Sequence, residues 1–490
     1  MAEHRPDGVG DARPGYRLVG TDTVLRFDRG TLLLEGVEAP PGAVADWFRF
    51  DPRVDAWRAP AYCYDRIIGV LRGGLASNRA PRYRRLDLTV ELDLAPFAHQ
   101  REALAGWRDN RGRGLVVLPT GAGKTLVGLL AMAWAGRDSL VLVPTLDLLH
   151  QWYALLRAAF PGRELGLLGG GYRELLPLTV ATYDSASRLC EQLGNRYGLL
   201  VFDEVHHLPS EFYRVIAELS LAPYRLGLSA TPERSDGRHR DLDELVGPVV
   251  YRREPAELAG EVLAPFQIRS IPVSLSAAER VAYQAALDTR DAFLRAQRIG
   301  LGSIQGWNRF VMASARSAEG RRAMQAHREA RRIAHATPAK LRALAAILAS
   351  HPHEKLIVFT EDNATAYEIS RQFLLPCMTH QTRIKERQAI LEGFRDGIYR
   401  ALVTSRVLNE GVDMPDAAVG VILSGSGSSR EFIQRLGRLL RRREGKRALL
   451  YEVVARDTRE EGVMARRREG LGPDKPGTLS LFDDDGESQG

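Results

Sequence analysis

The sequence predicts an α/β protein: two parallel-sheet domains in tandem, a small α+β domain before them and a helical insertion between them. Three observations carry this. Apolar strand-like runs alternate with helical stretches from Leu115 to about Tyr251, as LVVL, SLVLVP (139–144), LTVAT (178–182), LLVFD (199–203) and YRLGLSAT (224–231). The pattern returns at KLIVF (355–359) and ALVT (401–404). Between these blocks, residues 275–350 change to helical spacing rich in Arg and Ala. Continuous apolar strands separated by helices are the mark of parallel sheets covered on both faces.

The totals suit a multidomain chain. At 490 residues, with about 150 residues per domain, roughly three domains are expected. With 44% apolar and 26% charged residues the composition is that of a soluble globular protein. No apolar stretch approaches the ~18 to 20 residues of a membrane span, and MAEHRPDGVGDARPGY lacks a signal core. A cytoplasmic location is expected, nucleoid-associated in a prokaryote. Cys63, Cys190 and Cys377 are far apart and form no CxxC, which points to a reducing compartment and away from structural zinc. The net charge of +7 is compatible with a polyanionic partner without requiring one.

In chain order, residues 1–14 read as a disordered lead and 15–92 as the small accessory domain of short strands and turns. Its later part, RAPRYRRLDL (79–88), is either a solvated basic linker or a nucleic-acid contact. The first parallel-sheet domain is expected over 93–265, the helical insertion over 266–338 and the second sheet domain over 339–465. The tail 466–490 is Gly-, Pro- and Asp-rich and reads as disordered.

LPTGAGKT (118–125) joins the strand-like run 115–118 to a helix and reads as a phosphate-binding loop. Thr120, Gly121, Ala122 and Gly123 would cradle a triphosphate with backbone N–H groups, Gly121 and Gly123 standing where a Cβ would block close approach. Lys124 supplies the cation for the β- and γ-phosphates, Thr125 a hydroxyl for Mg²⁺, and the following helix its positive end. The general pattern would have Gly where Leu118 stands. Just upstream, Phe97 and Gln100 lie in a helix announced by Pro96. Gln100 offers an amide able to pair with the adenine edge and Phe97 a ring to pack near it.

The strongest strand-end cluster is VFDEVHH (201–207). Asp203 is placed to bind Mg²⁺ and Glu204 to orient or deprotonate the attacking water. A carboxylate pair leaving a buried strand without a cation would be costly, so a metal is implied.

With GAGKT, DEVH and LSAT in this order, the chain resembles superfamily 2 helicases. The resemblance implies two RecA-like motor domains, ATP and Mg²⁺ as cofactors, and nucleic acid as partner. It implies that Ser229, Ala230 and Thr231 couple hydrolysis to domain movement, and that Pro144, Thr145 and Thr182, with Thr404 in the second motor, touch the nucleic-acid backbone. Gly411 and Asp413 are expected at the nucleotide, and EFIQRLGRLLRR (431–442) supplies Gln434, Arg438 and Arg441. These three lie on one helical face at i, i+4 and i+7, and Arg438 and Arg441 are the expected arginine fingers.

DEVHH, SATPERSDGRH (229–239) and the small N-terminal domain resemble more narrowly the xeroderma pigmentosum group B (XPB) type of DNA helicase, which implies 3′-to-5′ polarity and DNA repair. That family carries an Arg-Glu-Asp element after SAT; here it is Arg234, Ser235, Asp236, which opens translocation without much unwinding. The insertion resembles the family's thumb-like module, with Arg316, Arg321, Arg322, Arg328, Arg331 and Arg332 available for phosphates; a charged spacer hairpin is the other reading. Leu479, Leu481 and Phe482 resemble the LSLF peptides that bind the replication sliding clamp, with Thr478 where Gln is usual. An RNA helicase, or a motor moving DNA for a separate nuclease or defence partner, uses the same motifs.

Overall fold

The structure is a computed structural model that describes residues 23–71, 75–93, 95–234, 236–255, 257–258, 266–405, 417–425 and 448–468. The chain forms two compact units. One holds residues up to 253 apart from the turn 119–122, and the other holds residues from 254 onward together with that turn.

The first unit begins with the small domain. Strands β1 (Val24–Asp28), β2 (Thr31–Glu35), β3 (Arg49–Asp51), β4 (Ala56–Pro60) and β5 (Ser77–Asn78) form a sheet of order β3-β4-β2-β1-β5. The helix Tyr64–Leu71 lays Ile67 and Leu71 against Leu25, Leu32 and Leu34. On the other face Arg58 bridges Asp28 (3.0 Å) and Asp51 (2.9 Å), and Arg53 closes on Asp51 at 2.8 Å. The Arg53 guanidinium, followed by its backbone amide and Arg58, holds Asp51 well below the usual carboxylate range against the effect of burial.

This domain is docked on the next. Leu221 sits in its apolar core, and a Cβ on Gly194 would lie 2.6 Å from the Phe27 ring. The basic segment 79–88 is a strap rather than a free linker. Asn195 donates to Ala80 O at 2.9 Å and accepts at its carbonyl from Arg82 N at 2.8 Å. Asp138 N donates to Arg84 O at 3.2 Å while Arg84 N donates to the Asp138 carboxylate (Oδ2) at 3.0 Å, Leu86 N reaches Gly136 O at 2.9 Å, and Tyr83 packs on Gly198. Arg82, Arg84 and Arg85 remain exposed.

The larger sheet of this unit contains β6 (Arg113–Val117), β7 (Ser139–Val143), β8 (Leu165–Gly169), β9 (Tyr172–Arg173), β10 (Leu178–Thr182), β11 (Leu199–Asp203), β12 (Tyr224–Ser229) and β13 (Val249–Arg252), in the order β13-β6-β12-β11-β7-β10-β8-β9. All pairs are parallel except the β8-β9 hairpin. Every residue of β7, β10 and β11 is buried, which explains their unbroken apolar runs. Because β12 lies between β6 and β11, Ser229 at its end is set between the phosphate loop and the carboxylate pair.

The second unit has a parallel sheet of β14 (Phe266–Val273), β15 (Leu356–Phe359), β16 (Cys377–Met378), β17 (Ala401–Thr404), β18 (Val419–Ile422) and β19 (Ala448–Ala455), in the order β14-β19-β18-β15-β17-β16. One boundary shifts. The sequence placed residues 266–273 in the helical insertion, whereas they pair along their whole length with β19 as the sheet's edge strand. FQIRSIPV breaks alternation at Arg269-Ser270, and its partner lies 182 residues away in sequence (Phe266 with Ala448).

The insertion proper is Ala277–Ala296, Ile304–Arg316 and Ala318–Ala336, leading into Pro338–Ser350. Ser276, Ser303, Ser317 and Thr337 cap these helices, Ser276 in a capping box with Glu279. The chain breaks near Gly300 and Gly302, but Gly306 is inside a helix, where a Cβ would fall 1.8 Å from Gly300 O. Arg331 pairs with Glu361 (2.9 Å) and Arg332 with Glu329 (2.7 Å), while Arg316, Arg321, Arg322 and Arg328 are exposed. No described helix is long and apolar enough to cross a membrane.

His327 lies among the rings of Trp307 (5.2 Å) and Phe310 (5.8 Å). Burial, and then the charges of Arg290, Arg331, Arg459 and Arg328, pull its imidazole down from 6.5 to about 4. A histidine kept neutral by the fold contributes stability that is complete above its unfolded pKa and declines as pH falls toward the folded one. The insertion is therefore expected to lose on the order of 2 kcal/mol between about pH 7 and 5. Thermal unfolding across that range checks this, and His327→Phe should flatten the dependence.

Candidate nucleotide site and nucleic-acid contacts

The phosphate loop leaves β6 through Leu118, which is fully buried and donates its N–H to Ser229 O at 3.0 Å. The position where a leading glycine was expected is thus a core position continuing the strand. Gly121 (φ +90°) and Gly123 (φ +77°) both have positive φ, and a Cβ on Gly123 would lie 2.1 Å from Gln100 Nε2. Lys124 and Thr125 open the helix Lys124–Ala135, whose N-terminal amides face an anion favourably. Lys124 Nζ rests on Leu118 O at 3.2 Å. Thr120 Oγ1 is buried with no hydrogen-bond partner among the described residues, and Ala122 is buried.

Gln100 is 3% exposed. Its carboxamide accepts from Phe97 N at 2.9 Å and reaches Gly123 O at 3.4 Å. The amide expected at adenine here ties the start of helix Ala98–Asp109 to the phosphate loop. Phe97 is half-exposed and stacks on His99.

Asp203 ends β11 and is buried. Burial raises its carboxyl pKa, opposed by the Trp152 indole, the Lys124 ammonium and the Glu204 amide. Glu204 has φ +49° and ψ 54°, a left-handed conformation uncommon for a non-glycine residue and of a kind that clusters at functional sites. Its Oε2 is 3.5 Å from His206 Nδ1. His206 Nδ1 in turn meets Ser229 Oγ at 3.3 Å, and Ser229 Oγ accepts from Thr231 N at 3.1 Å. A polar chain therefore runs from the carboxylate pair to the Ser229-Ala230-Thr231 segment. Thr231 Oγ1 is buried without a hydrogen-bond partner among the described residues.

Arg234 closes on Asp236 with two bonds, 3.0 and 2.6 Å, and donates to His206 O at 2.7 Å. The Arg234 hydrogen bonds hold the Asp236 carboxyl well below the usual range. Arg234 and Asp236 are thus fastened to the DEVH segment, and Ser235 lies outside the described residues.

Pro144 and Thr145 follow β7, and Thr182 ends β10. Thr145 Oγ1 caps helix Leu146–Ala159 by accepting from Leu148 N (3.3 Å), and Thr182 Oγ1 accepts from Ser185 N (3.2 Å). Both hydroxyls serve as helix caps first, and Thr182 is buried. Thr404 differs from its expected role more sharply. It is fully buried at the end of β17, donating to Ser405 O at 3.1 Å, so it does not present its hydroxyl to a strand in this structure. Gly411, Asp413, Gln434, Arg438 and Arg441 lie outside the described residues, as do Leu479, Leu481 and Phe482.

Two participants were not assigned from the sequence. His206 stood in the quoted motif without a role. Trp152 donates its indole N–H to Asp203 Oδ2 at 2.8 Å, a contact across 51 positions for which periodicity gives no signal.

A glycine loop at a strand-to-helix turn, a strand-end Asp-Glu two strands away and a second parallel-sheet domain define a nucleotide-driven motor of the tandem RecA-like class. The comparisons agree. Residues 93–234 match the model of the type III restriction enzyme res subunit, 339–443 that of the helicase conserved C-terminal domain, and 25–77 that of the xeroderma pigmentosum group B helicase damage recognition domain. A DNA 3′-5′ translocase XPB2 from Sulfurisphaera tokodaii is 44% identical over 371 residues, 76% of this chain and 84% of that protein. A DNA 3′-5′ helicase XPB from Mycobacterium tuberculosis is 34% identical over 73% of this chain, which spans only 60% of that longer protein. The helicase domain of Pyrococcus furiosus Hef superposes with a TM-score of 0.53 over 78% of this chain and all of its own length, at 18% identity, and so supports the fold. The chain belongs to the XPB family of superfamily 2 helicases.

Proposed function

We propose that the chain is an ATP- and Mg²⁺-dependent translocase that runs 3′ to 5′ on DNA, separates strands weakly and serves DNA repair. The observation that carries the reading is the state of the element after SAT. Arg234 and Asp236 satisfy each other and the DEVH backbone, and the residue between them is Ser235 rather than an acid. The 44% identical relative is itself named a translocase.

The residues present fit the nucleotide and its metal. A buried carboxylate, two threonine hydroxyls unpartnered among the described residues and a loop of positive-φ glycines opening a helix make a site for a charged ligand. Thr125 and Asp203 would hold Mg²⁺, which when bound neutralises charge on the phosphates. Lys124 and the amides of 121–125 bind and orient the triphosphate. Glu204 accepts a proton from the attacking water or fixes its direction, and His206 and Ser229 relay its position to Thr231. Arg438 and Arg441 are proposed to stabilise charge on the γ-phosphoryl oxygens. Arg82, Arg84, Arg85 and the exposed insertion arginines supply sequence-independent attraction to a polyanion.

The match of 93–234 to a restriction-enzyme subunit favours, as a second reading, a motor that moves DNA for a separate nuclease. Docking to a sliding clamp through Leu479, Leu481 and Phe482 is a further proposal. ATPase assays with DNA and RNA side by side, with strand displacement on 3′-tailed, 5′-tailed, forked and blunt duplexes and displacement of a triplex-forming strand, test the main reading. Stimulation by DNA with triplex displacement and little unwinding is expected. Stimulation by RNA alone, or efficient unwinding of blunt duplex, would overturn it.

A further inference from the structure

Trp152 is 1% exposed and two turns into helix Leu146–Ala159, the helix that Thr145 caps. Its indole N–H ends on Asp203 Oδ2 at 2.8 Å, while Asp203 Oδ1 accepts from Glu204 N at 3.0 Å. The ring reaches this place over Gly128 of the phosphate-loop helix, where a Cβ would lie 2.7 Å from the ring edge. A side chain at 128 could be accommodated only if the indole or its surroundings shifted. One side chain therefore touches both the helix that begins with Lys124 and the carboxylate expected to bind the cation.

The chemistry of the donor matters. Lys or Arg at this point would neutralise the carboxylate and compete with a metal ion. A neutral N–H fixes one oxygen and leaves the charge and the remaining lone pairs available. A buried indole N–H also needs an acceptor, so the bond satisfies both groups.

Resting on the metal reading above, we infer that Trp152 is a positioning residue for the nucleotide-bound divalent cation, orienting Asp203 through its indole N–H. The test uses the full-length protein with ADP and Mn²⁺, Mn²⁺ binding being followed by electron paramagnetic resonance. Trp152→Phe removes the donor but also trims the ring. A second variant therefore carries 3-benzothienylalanine at 152, which keeps the bicyclic shape and replaces N–H by sulfur. The isostere is expected to weaken Mn²⁺ binding about tenfold, as loss of an outer-shell partner does. It should leave metal-free ADP affinity unchanged, keep unfolding cooperative with a Tm lowered only by the loss of one buried hydrogen bond, and raise the Mg²⁺ needed for half-maximal ATPase by the same factor. Mn²⁺ bound as tightly as by the parent would overturn the inference. So would a parallel fall in metal-free ADP affinity, which marks a packing role only. Asp203→Asn serves as control: if it leaves Mn²⁺ binding intact, the metal assignment itself fails, an outcome separate from failure at Trp152.

Discussion

Replacing Glu204 with Gln is expected to lower nucleic-acid-stimulated ATP turnover by about 10² to 10⁴-fold, the usual span for loss of a positioned general base, while ATP still binds. The substitution is nearly isosteric, so it keeps the strained backbone at φ +49° and removes only the proton acceptor. Lys124→Ala should fail differently. It withdraws the cation that rests on Leu118 O, so nucleotide affinity falls along with turnover. Equilibrium binding of a fluorescent ATP analogue beside steady-state ATPase separates the two. Glu204→Gln with wild-type turnover would refute the assignment of the carboxylate pair, because no other carboxylate among the described residues stands beside Asp203 at the end of β11.

Arg225→Met is expected to destabilise the first unit by about 3 kcal/mol, since it strands several buried carbonyls at roughly 1 kcal/mol or more each. Arg225 is fully buried in β12. Its guanidinium donates to Leu245 O (2.5 Å), Ser220 O (2.7 Å) and Ala222 O (3.2 Å), and its own carbonyl accepts the Trp107 indole N–H at 2.9 Å. Burial pushes the guanidinium pKa well down, yet these carbonyls are oriented for a donor and Met offers none. Leu221 and Ala222 bracket the turn into β12, and Leu221 lies in the core of the small N-terminal domain. The variant should therefore also loosen that domain's docking. Differential scanning calorimetry is expected to show Tm lowered by roughly 5 to 10 °C, with faster proteolysis at the 79–88 strap.

Much of the site is legible because each motif is local. GAGKT needs only a strand, a turn with two positive-φ glycines and a helix, and all three are written within residues 115–135. Asp203 and Glu204 follow an unbroken apolar strand, so their exit from the sheet is readable too. Thr404 shows where locality misleads. A threonine after ALV fits a motif, but only the packing of β17 between β15 and β16 decides that its hydroxyl is buried. The strand 266–273 was unreadable for a related reason: its partner β19 is supplied by residues 448–455.

By itself the sequence determined the class of the protein and the order of its motifs, and it named the glycine loop and the carboxylate pair as the candidate site, because those depend on residue types at short spacing. Only the tertiary structure decided that Leu118 is core, that Gln100 ties a helix to the loop, that the basic segment 79–88 is a strap, and that Trp152 holds Asp203. These depend on which strands lie side by side, and that order is set by packing across the whole sheet rather than by any neighbouring residues.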